Sequence, residues 1–540
     1  MRARGISVFA VIVGLAVLPA LAAEGPARQQ ADNAASPGPT ATEPGGPAGL
    51  AQELMERLAE TGTLAAADRE DRAALARFYA GRQHEPVWTG SAGLTPVATA
   101  AIAEMRRADE WGLDTAAFHV PALSGSAPSR ASRADAEIAL GLAILRYARH
   151  ARGGRAEPTS LSRNLDRKLS LLDPALVIDQ AAKAESPGAY LQSLHPQHPQ
   201  FEALRQKYLA LRSGAQPDPS ASEDGKKGGK KATGAASETS SARRVIVNME
   251  EWRWMPESLG DFFVWVNIPE YTLRVVKAGK IIHTERVIVG KRDTQTPVFS
   301  QDLEQVIFHP FWGIPESIKR NDVLPSLARG SSRVVERYNL RIQRGGRDID
   351  PASIDWASAD IRQYHVYQPP GPMSVLGVMK FRFPNKHDVY MHDTPTKNLF
   401  NAEVRTFSHG CVRVREPQRL AELVLAEDQD WTASRVAAAI NGGPQNNQIS
   451  LSRKVPVHIT YFTAMIDRSG ELKLFPDIYG HEARIALGME GKAHLIARLV
   501  KEEKPPRADA VGSLAETTTG GGPGGSKKDW VRKAFDFGNN

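Results

Sequence analysis

The chain changes its hydrophobic period partway along, and that change limits what it can fold into. From Gly49 to Arg212, apolar residues recur at helix spacing in AGLAQELMERLAE, DREDRAALARFYAGR, TPVATAAIAEMRRADEWGL and ADAEIALGLAILRYARHA. Residues three and four apart share one helix face, so each run carries a stripe that must be buried against a neighbour. Thr95 before Pro96, and Ser132 before the run at Arg133, are expected caps, because a hydroxyl can accept from an unpaired first-turn amide. From Val245 the residues turn β-branched and aromatic, in VIVNMEEWRW, DFFVWVNIP, YTLRVVKAGKIIHTERVIVG and EQVIFHPFWGIP, which predicts strands. Lys277-Ala278-Gly279-Lys280 predicts a hairpin turn, and Asp467–Gly470 a second turn late in the chain. Glu416–Asp428 and Thr432–Ile440 read as helices. The expected class is α+β, with a helical domain over 49–212 and a mostly β domain over 244–484.

The segments around these domains differ in composition. Residues 1–22 predict an export signal: Arg2 and Arg4 precede an apolar run from Ile6 to Leu18, then Ala20-Leu21-Ala22. That run is short for a bilayer span, which needs about 20 residues, and an uncleaved anchor is the alternative. Residues 23–48 are rich in Pro, Gly, Ala and Thr and predict a disordered spacer. Residues 213–243 are dominated by Gly, Ser, Ala and Lys and predict a flexible linker, and 504–540 predict a disordered tail. The net charge of +7 fits an anionic partner but equally fits mere solubility.

Cys411 is the only cysteine among 540 residues. An exported chain with one cysteine forms no internal disulfide, so the thiol is either buried filler or kept for chemistry. His409 stands two positions before it and His392 lies upstream. A thiol becomes a good nucleophile as the thiolate, and histidine is the usual base because its charge changes in the working pH range. Ser408, Gly410, Val412 and Val414 suggest a strand entered through a tight backbone position, with His409, Cys411 and Arg413 on one face. His387, His392, His409 and Cys411 could instead supply four metal ligands, although the paired spacings usual for zinc are missing.

His392, a gap, and then Ser408-His409-Gly410-Cys411-Val412-Arg413 resembles the active-site signature of the L,D-transpeptidases with a YkuD-type catalytic domain. The longer run from Gln368 to Phe400 resembles the larger Gram-negative, YcbB-like members. The resemblance implies a helical scaffold domain, then a catalytic domain whose insertion, here 319–363 after Phe311–Ile318, forms a lid. A surface excursion without a role is the plain alternative. A small peptidoglycan-binding module usual in such relatives is replaced here by the linker. Implied roles follow residue by residue. Cys411 is the nucleophile, His392 the base and proton donor, and the Asp393 backbone carbonyl orients His392. Amides around His409, Gly410 and Cys411 hold the oxyanion, while Arg413, Tyr390 and Ser408 shape or bind the substrate. Lys380 and Arg382 read as a solvated face, and His387 as a surface residue.

The activity so implied is periplasmic 3→3 cross-linking of peptidoglycan stem peptides through a cysteine thioester, with loss of D-alanine. It needs no metal, cofactor or nucleic acid, and other wall-synthesis enzymes are implied partners. An L,D-carboxypeptidase or cysteine peptidase on the same scaffold, a non-catalytic wall-binding protein and a zinc hydrolase are the alternatives.

Overall fold

Proline and polar caps set the helix starts in the N-terminal half. Helix Pro96–Arg106 begins on Thr95, whose side chain accepts from the Ala98 amide, and Pro174–Lys183 begins on Asp173, accepting from Ala175. Proline suits a first turn because its missing N–H would be unpaired there anyway. Ser132 is not a cap: the helix Arg130–Gly153 starts earlier, on Ser129, whose side chain accepts from the Ser132 amide. The computed structural model of the protein describes residues 47–60, 64–120, 122–123, 128–214 and 234–497. The expected signal peptide, nearly all of the spacer, residues 215–233 of the expected linker and the expected tail lie outside the described residues.

The helical region packs around Arg130–Gly153, which buries Leu140, Ile144, Leu145 and Tyr147 against Leu54, Leu75, Trp88 and Met105. A small hairpin, β1 (Thr89–Gly90) with β2 (Gly93–Leu94), lies beside it. No described helix is long and apolar enough to cross a membrane.

The stretch VIVNMEEWRW, expected as a strand, is helical through Arg253. The helix spans Gly234–Arg253, so the expected linker does not reach residue 243. Its buried residues include Val245, Val247, Met249 and Trp252, and also Asn248, Glu250, Glu251 and Arg253. From Val245 on nearly every residue of this helix is buried, so no polar face shows and its β-branched residues read locally as strand. Asn248 is accommodated because its side chain donates to the Arg244 carbonyl and Thr463 hydroxyl and accepts from the Thr463 and Ala464 amides. With Phe201, Leu204 and Tyr208, this helix packs on Phe263, Trp265 and Val276 of the sheet, joining the two halves through a shared apolar layer.

The sheet begins with β3 (Phe262–Asn267), β4 (Thr272–Lys277), β5 (Lys280–Gly290) and β6 (Phe299–Phe308). The expected turn at Lys277–Lys280 joins β4 to β5, and residues 291–297 form a loop after β5. The insertion follows. β7 (Trp312–Gly313), β8 (Arg341–Arg344), β9 (Arg347–Asp348) and β10 (His365–Gln368) form a separate four-stranded sheet in the order β7-β10-β8-β9. Its core contains Trp312, Ile318, Leu327, Tyr338, Ile342, Trp356, Val366 and Leu376, so the cap is a folded unit wider than the expected 319–363.

β11 (Met379–Arg382), β12 (Met391–His392), β13 (Thr406–Ser408), β14 (Val412–Val414) and β15 (Asn447–Thr460) complete the main sheet. The order is β13-β5-β14-β12-β11-β6-β15-β3-β4, and β4 also pairs with β5, so the strands close on themselves. Closure removes the open edges that a sheet must otherwise protect. Inside lie Val264, Leu273, Val287, Phe308, Phe381, Met391 and Val412, covered by the helix Pro417–Gln429 through Leu420 and Val424. β12 runs parallel to β14 with Met391 opposite Val412 and His392 opposite Arg413. The apolar pair faces the core, so pleat alternation sends the polar pair to the other side.

Candidate active site

Cys411 sits in a bend between β13 and β14 rather than within a continuous strand. The bend is possible because Gly410 has φ +116°, a conformation that side-chain-bearing residues rarely adopt. Neighbouring side chains clamp it. The Ser408 hydroxyl donates to the Cys411 carbonyl (2.6 Å) and accepts from the Gly410 amide (3.2 Å). Below, the Thr296 hydroxyl donates to the Gly410 carbonyl (2.8 Å) and the Thr294 hydroxyl to the Ser408 carbonyl (3.2 Å). The Gly410 N–H, expected to face a developing oxyanion, is thus engaged within the turn.

A cavity of about 90 Å³ brings the two strands and the cap together. His392, Ser408, His409, Cys411 and Arg413 line it, with Asp388 and Tyr390 beside them and Trp312, Ile318 and Leu376 of the cap above. His409, Cys411 and Arg413 were expected on one face of a strand; a bend carries His409 and Cys411 instead, and all three line this cavity.

His392 is buried, and its Nδ1–H donates to the Asp393 carbonyl. That bond fixes the tautomer, leaving the lone pair on Nε2. Burial, with the Arg413 charge second, pushes the His392 pKa down to about 3, so the ring is neutral at ordinary pH. The Asp393 side chain is turned elsewhere, accepting from the Val378 amide (2.9 Å) and from Lys397 Nζ (2.5 Å). The carboxylate therefore does not touch the imidazole; the backbone carbonyl does.

Arg413 is pushed down to about 10 by burial, with the Cys411 side opposing that shift. Its Nε has no hydrogen-bond partner among the described residues, and Nη1 makes a long contact of 3.5 Å with the Thr396 hydroxyl. A guanidinium held in this way is a ready partner for a carboxylate. Tyr390 is pushed well up by burial and then by its hydrogen-bonded neighbour Cys411.

Two expectations fail here. Lys380 is not on a solvated face: its Nζ lies 3.8 Å from the Tyr390 ring centroid, and burial lowers its pKa while Cys411 opposes. The antiparallel register that sets Lys380 opposite His392 puts it there. Period-2 alternation in MKFRF marks Lys380 as lying opposite the core face, but only the pairing shows that this face is the site. His387 is not at the surface either: it is 3% exposed and hydrogen-bonds to Asp166 of the helical region (2.7 Å). No group of three or more His, Cys, Asp and Glu side chains suited to a metal ion occurs among the described residues.

Residues 261–456 match the model of the L,D-transpeptidase catalytic domain (YkuD), and residues 73–207 match a scaffold-domain model. A curated relative from Haemophilus influenzae, described as a "putative L,D-transpeptidase", is 34% identical over 251 residues, covering 46% of this chain. The chain spans about half the length of that relative, 50%. Among solved structures, an L,D-transpeptidase from Mycobacterium smegmatis is 13% identical over 37% of this chain and 58% of its own, with a TM-score of 0.18. The Ldtfm–avibactam carbamoyl enzyme is 12% identical over 48% of this chain and 80% of its own, with a TM-score of 0.15. The two domain matches and the fold agree on a helical scaffold region followed by a mostly β YkuD domain.

Proposed function

We propose that this protein is a peptidoglycan L,D-transpeptidase of the YcbB-like group, acting in the periplasm on stem peptides and forming 3→3 cross-links. The observation that carries the reading is the neutral His392, fixed through Nδ1 on the Asp393 carbonyl and sharing a cavity with the chain's single thiol. A neutral imidazole with a free Nε2 can take a thiol proton, which a protonated one cannot.

In this reading Cys411 Sγ attacks the carbonyl carbon of the third stem residue while its proton passes to His392 Nε2. The C–N bond to the terminal D-alanine then breaks, and the leaving amine receives that proton. A thioester remains on Cys411. The side-chain amine of a second stem attacks it, losing a proton to His392. The new amide forms as the thiolate leaves. Dividing the exchange in two lets one nucleophile serve both halves. Arg413 supports the proposal as a binder of a stem carboxylate, and Tyr390 and Lys380 as neighbours that favour a thiolate. Trp312, Ile318 and Leu376 of the cap line the same cavity, so a stem peptide bound at Cys411 would lie against them.

Purified protein and its Cys411→Ala variant, incubated with disaccharide-tetrapeptide and analysed by mass, test the reading. A 3→3-linked dimer made by the wild type and lost in the variant is expected. Tripeptide with free D-alanine and no dimer would replace it with an L,D-carboxypeptidase. Equal turnover by both proteins would remove Cys411 from the reaction.

A further inference from the structure

The helical region reaches the site through residues 164–167, on the segment between helices Pro158–Leu161 and Pro174–Lys183. Leu165 makes a parallel bridge with Val298, the Asp166 amide donates to the Val298 carbonyl (2.9 Å), and the Val298 amide donates to the Asn164 carbonyl (2.7 Å). The Asn164 side-chain amide donates to Gln295 Oε1 (3.1 Å), and Arg167 donates to Ser300 and to the Ile459 carbonyl (2.6 Å). One loop it grips, 291–298, is the loop whose Thr294 and Thr296 clamp the Cys411 turn.

The same segment also grips the loop on the other side of the thiol. Asp166 Oδ2 accepts from His387 Nε2 (2.7 Å) and Oδ1 from Lys386 Nζ (2.7 Å). Lys386 is 66% exposed, so that pair is a screened surface contact, whereas the His387 side chain is 1% exposed. Burial lowers the His387 pKa, with Asp166 opposing, and His387 Nε2–H donates to the carboxylate. Asn385 ties the loop internally, accepting from the His387 and Val389 amides and donating to the Phe383 and Val389 carbonyls. Next to His387, Asp388 stands at φ +51°, a left-handed conformation that aspartate adopts more readily than most side-chain-bearing residues. Its carbonyl accepts from Cys411 Sγ at 3.8 Å.

We infer that Asp166 is a positioning residue for the reaction at Cys411: through His387 it sets the Asp388 backbone against the thiol. The inference rests on the reading of Cys411 as nucleophile. It gives the helical region a role in the chemistry beyond bulk support. A turn misplaced by about 1 Å can cost a reaction roughly 100-fold, so a single buried hydrogen bond is enough to matter.

Alkylation of Cys411 by iodoacetamide tests this without any wall substrate, since the chain has no other thiol and Cys411→Ala gives the blank. Asp166→Ala is expected to change the alkylation rate and to lower turnover of disaccharide-tetrapeptide by roughly 10- to 100-fold, with KM moving much less. Asp166→Asn keeps an acceptor for His387 and should recover most of both rates. Lys386→Met, which removes only the exposed partner, should leave both at the wild-type level. All rates are compared below the unfolding midpoint of each variant. If Asp166→Ala alkylates and turns over like wild type, whatever its melting temperature, the inference is overturned. Equal impairment in Asp166→Asn and Lys386→Met would also overturn it, because charge and not the His387 bond would then be operating. A wild type that alkylates but makes no cross-link breaks the transpeptidase reading alone and leaves the Asp166 comparison to be decided by alkylation.

Discussion

Glu137 in the helical region and His392 in the sheet are both buried, at 0% and 5% exposure, yet their surroundings differ in kind. The Glu137 carboxylate accepts from the Tyr79 hydroxyl, the amides of Val87, Trp88 and Thr89, and the Thr89 hydroxyl. Both oxygens are used, and the result is a rigid joint between the long helix and the small hairpin. Among the described residues the His392 ring has one hydrogen bond, to the Asp393 carbonyl, and it lies on a cavity shared with Arg413, whose Nε has no hydrogen-bond partner there. Burying a polar group with every partner in place makes structure. Burying it with capacity left over, beside a thiol, makes a site, because the unsatisfied capacity is available to a substrate.

Substitutions sharpen that contrast, and the largest effect belongs to the site. His392→Gln should lower turnover by about 10³-fold while leaving the fold intact, measured by cross-link formation alongside thermal unfolding. The variant also carries a pH signature. The folded His392 pKa of about 3 lies below the ordinary 6.5, so between these values the unfolded chain binds a proton that the folded chain refuses. Stability from this group is therefore present above pH 6.5 and lost as pH falls toward 3, and His392→Gln should flatten the stability profile across that window. An unchanged profile would mean that the ring is not buried neutral.

Glu137→Ala should do the reverse, lowering stability by about 3 kcal/mol or more in denaturant titration, with turnover per folded molecule unchanged. Lost turnover without lost stability would break the distinction drawn between the two regions. Gly410→Ala comes next. A Cβ there would stand 3.4 Å from the Gln295 carbonyl oxygen at a φ of +116°, and about a tenfold drop in turnover is expected from the displaced bend. Smallest of all is Glu110→Gln. It breaks a pair with Arg107 whose side chains are 58% and 31% exposed, and unfolding should move by no more than ~0.5 kcal/mol.

Much of this was legible in the sequence because the signals were local. Thr95-Pro96 marks a helix start through bonds within a few residues, and the Lys277–Lys280 turn is fixed by its own chain. Cys411 and His392, the proposed nucleophile and base, also stood out, because His392 followed by Ser408–Arg413 resembles a known family signature. Three readings failed for the opposite reason. Val245–Arg253 looks like strand because burial on every side removes the polar face that would show a helix. Lys380 looks solvated because nothing local shows that β11 pairs with the strand carrying His392. His387 looks superficial because its partner, Asp166, is more than two hundred positions away, |i−j| = 221.

By itself the sequence determined the α+β division, the helix start at Thr95-Pro96, the central hairpin and the thiol with its histidines. These follow from side-chain period, capping and short-range chemistry, which act over a few residues. Only the tertiary structure decided that the strands close, that the insertion has its own core and roofs the thiol, and that the helical region touches the loop beside Cys411. Those outcomes depend on which distant segments bury one another. Burial is a property of the packed molecule, so no single stretch of the chain encodes it.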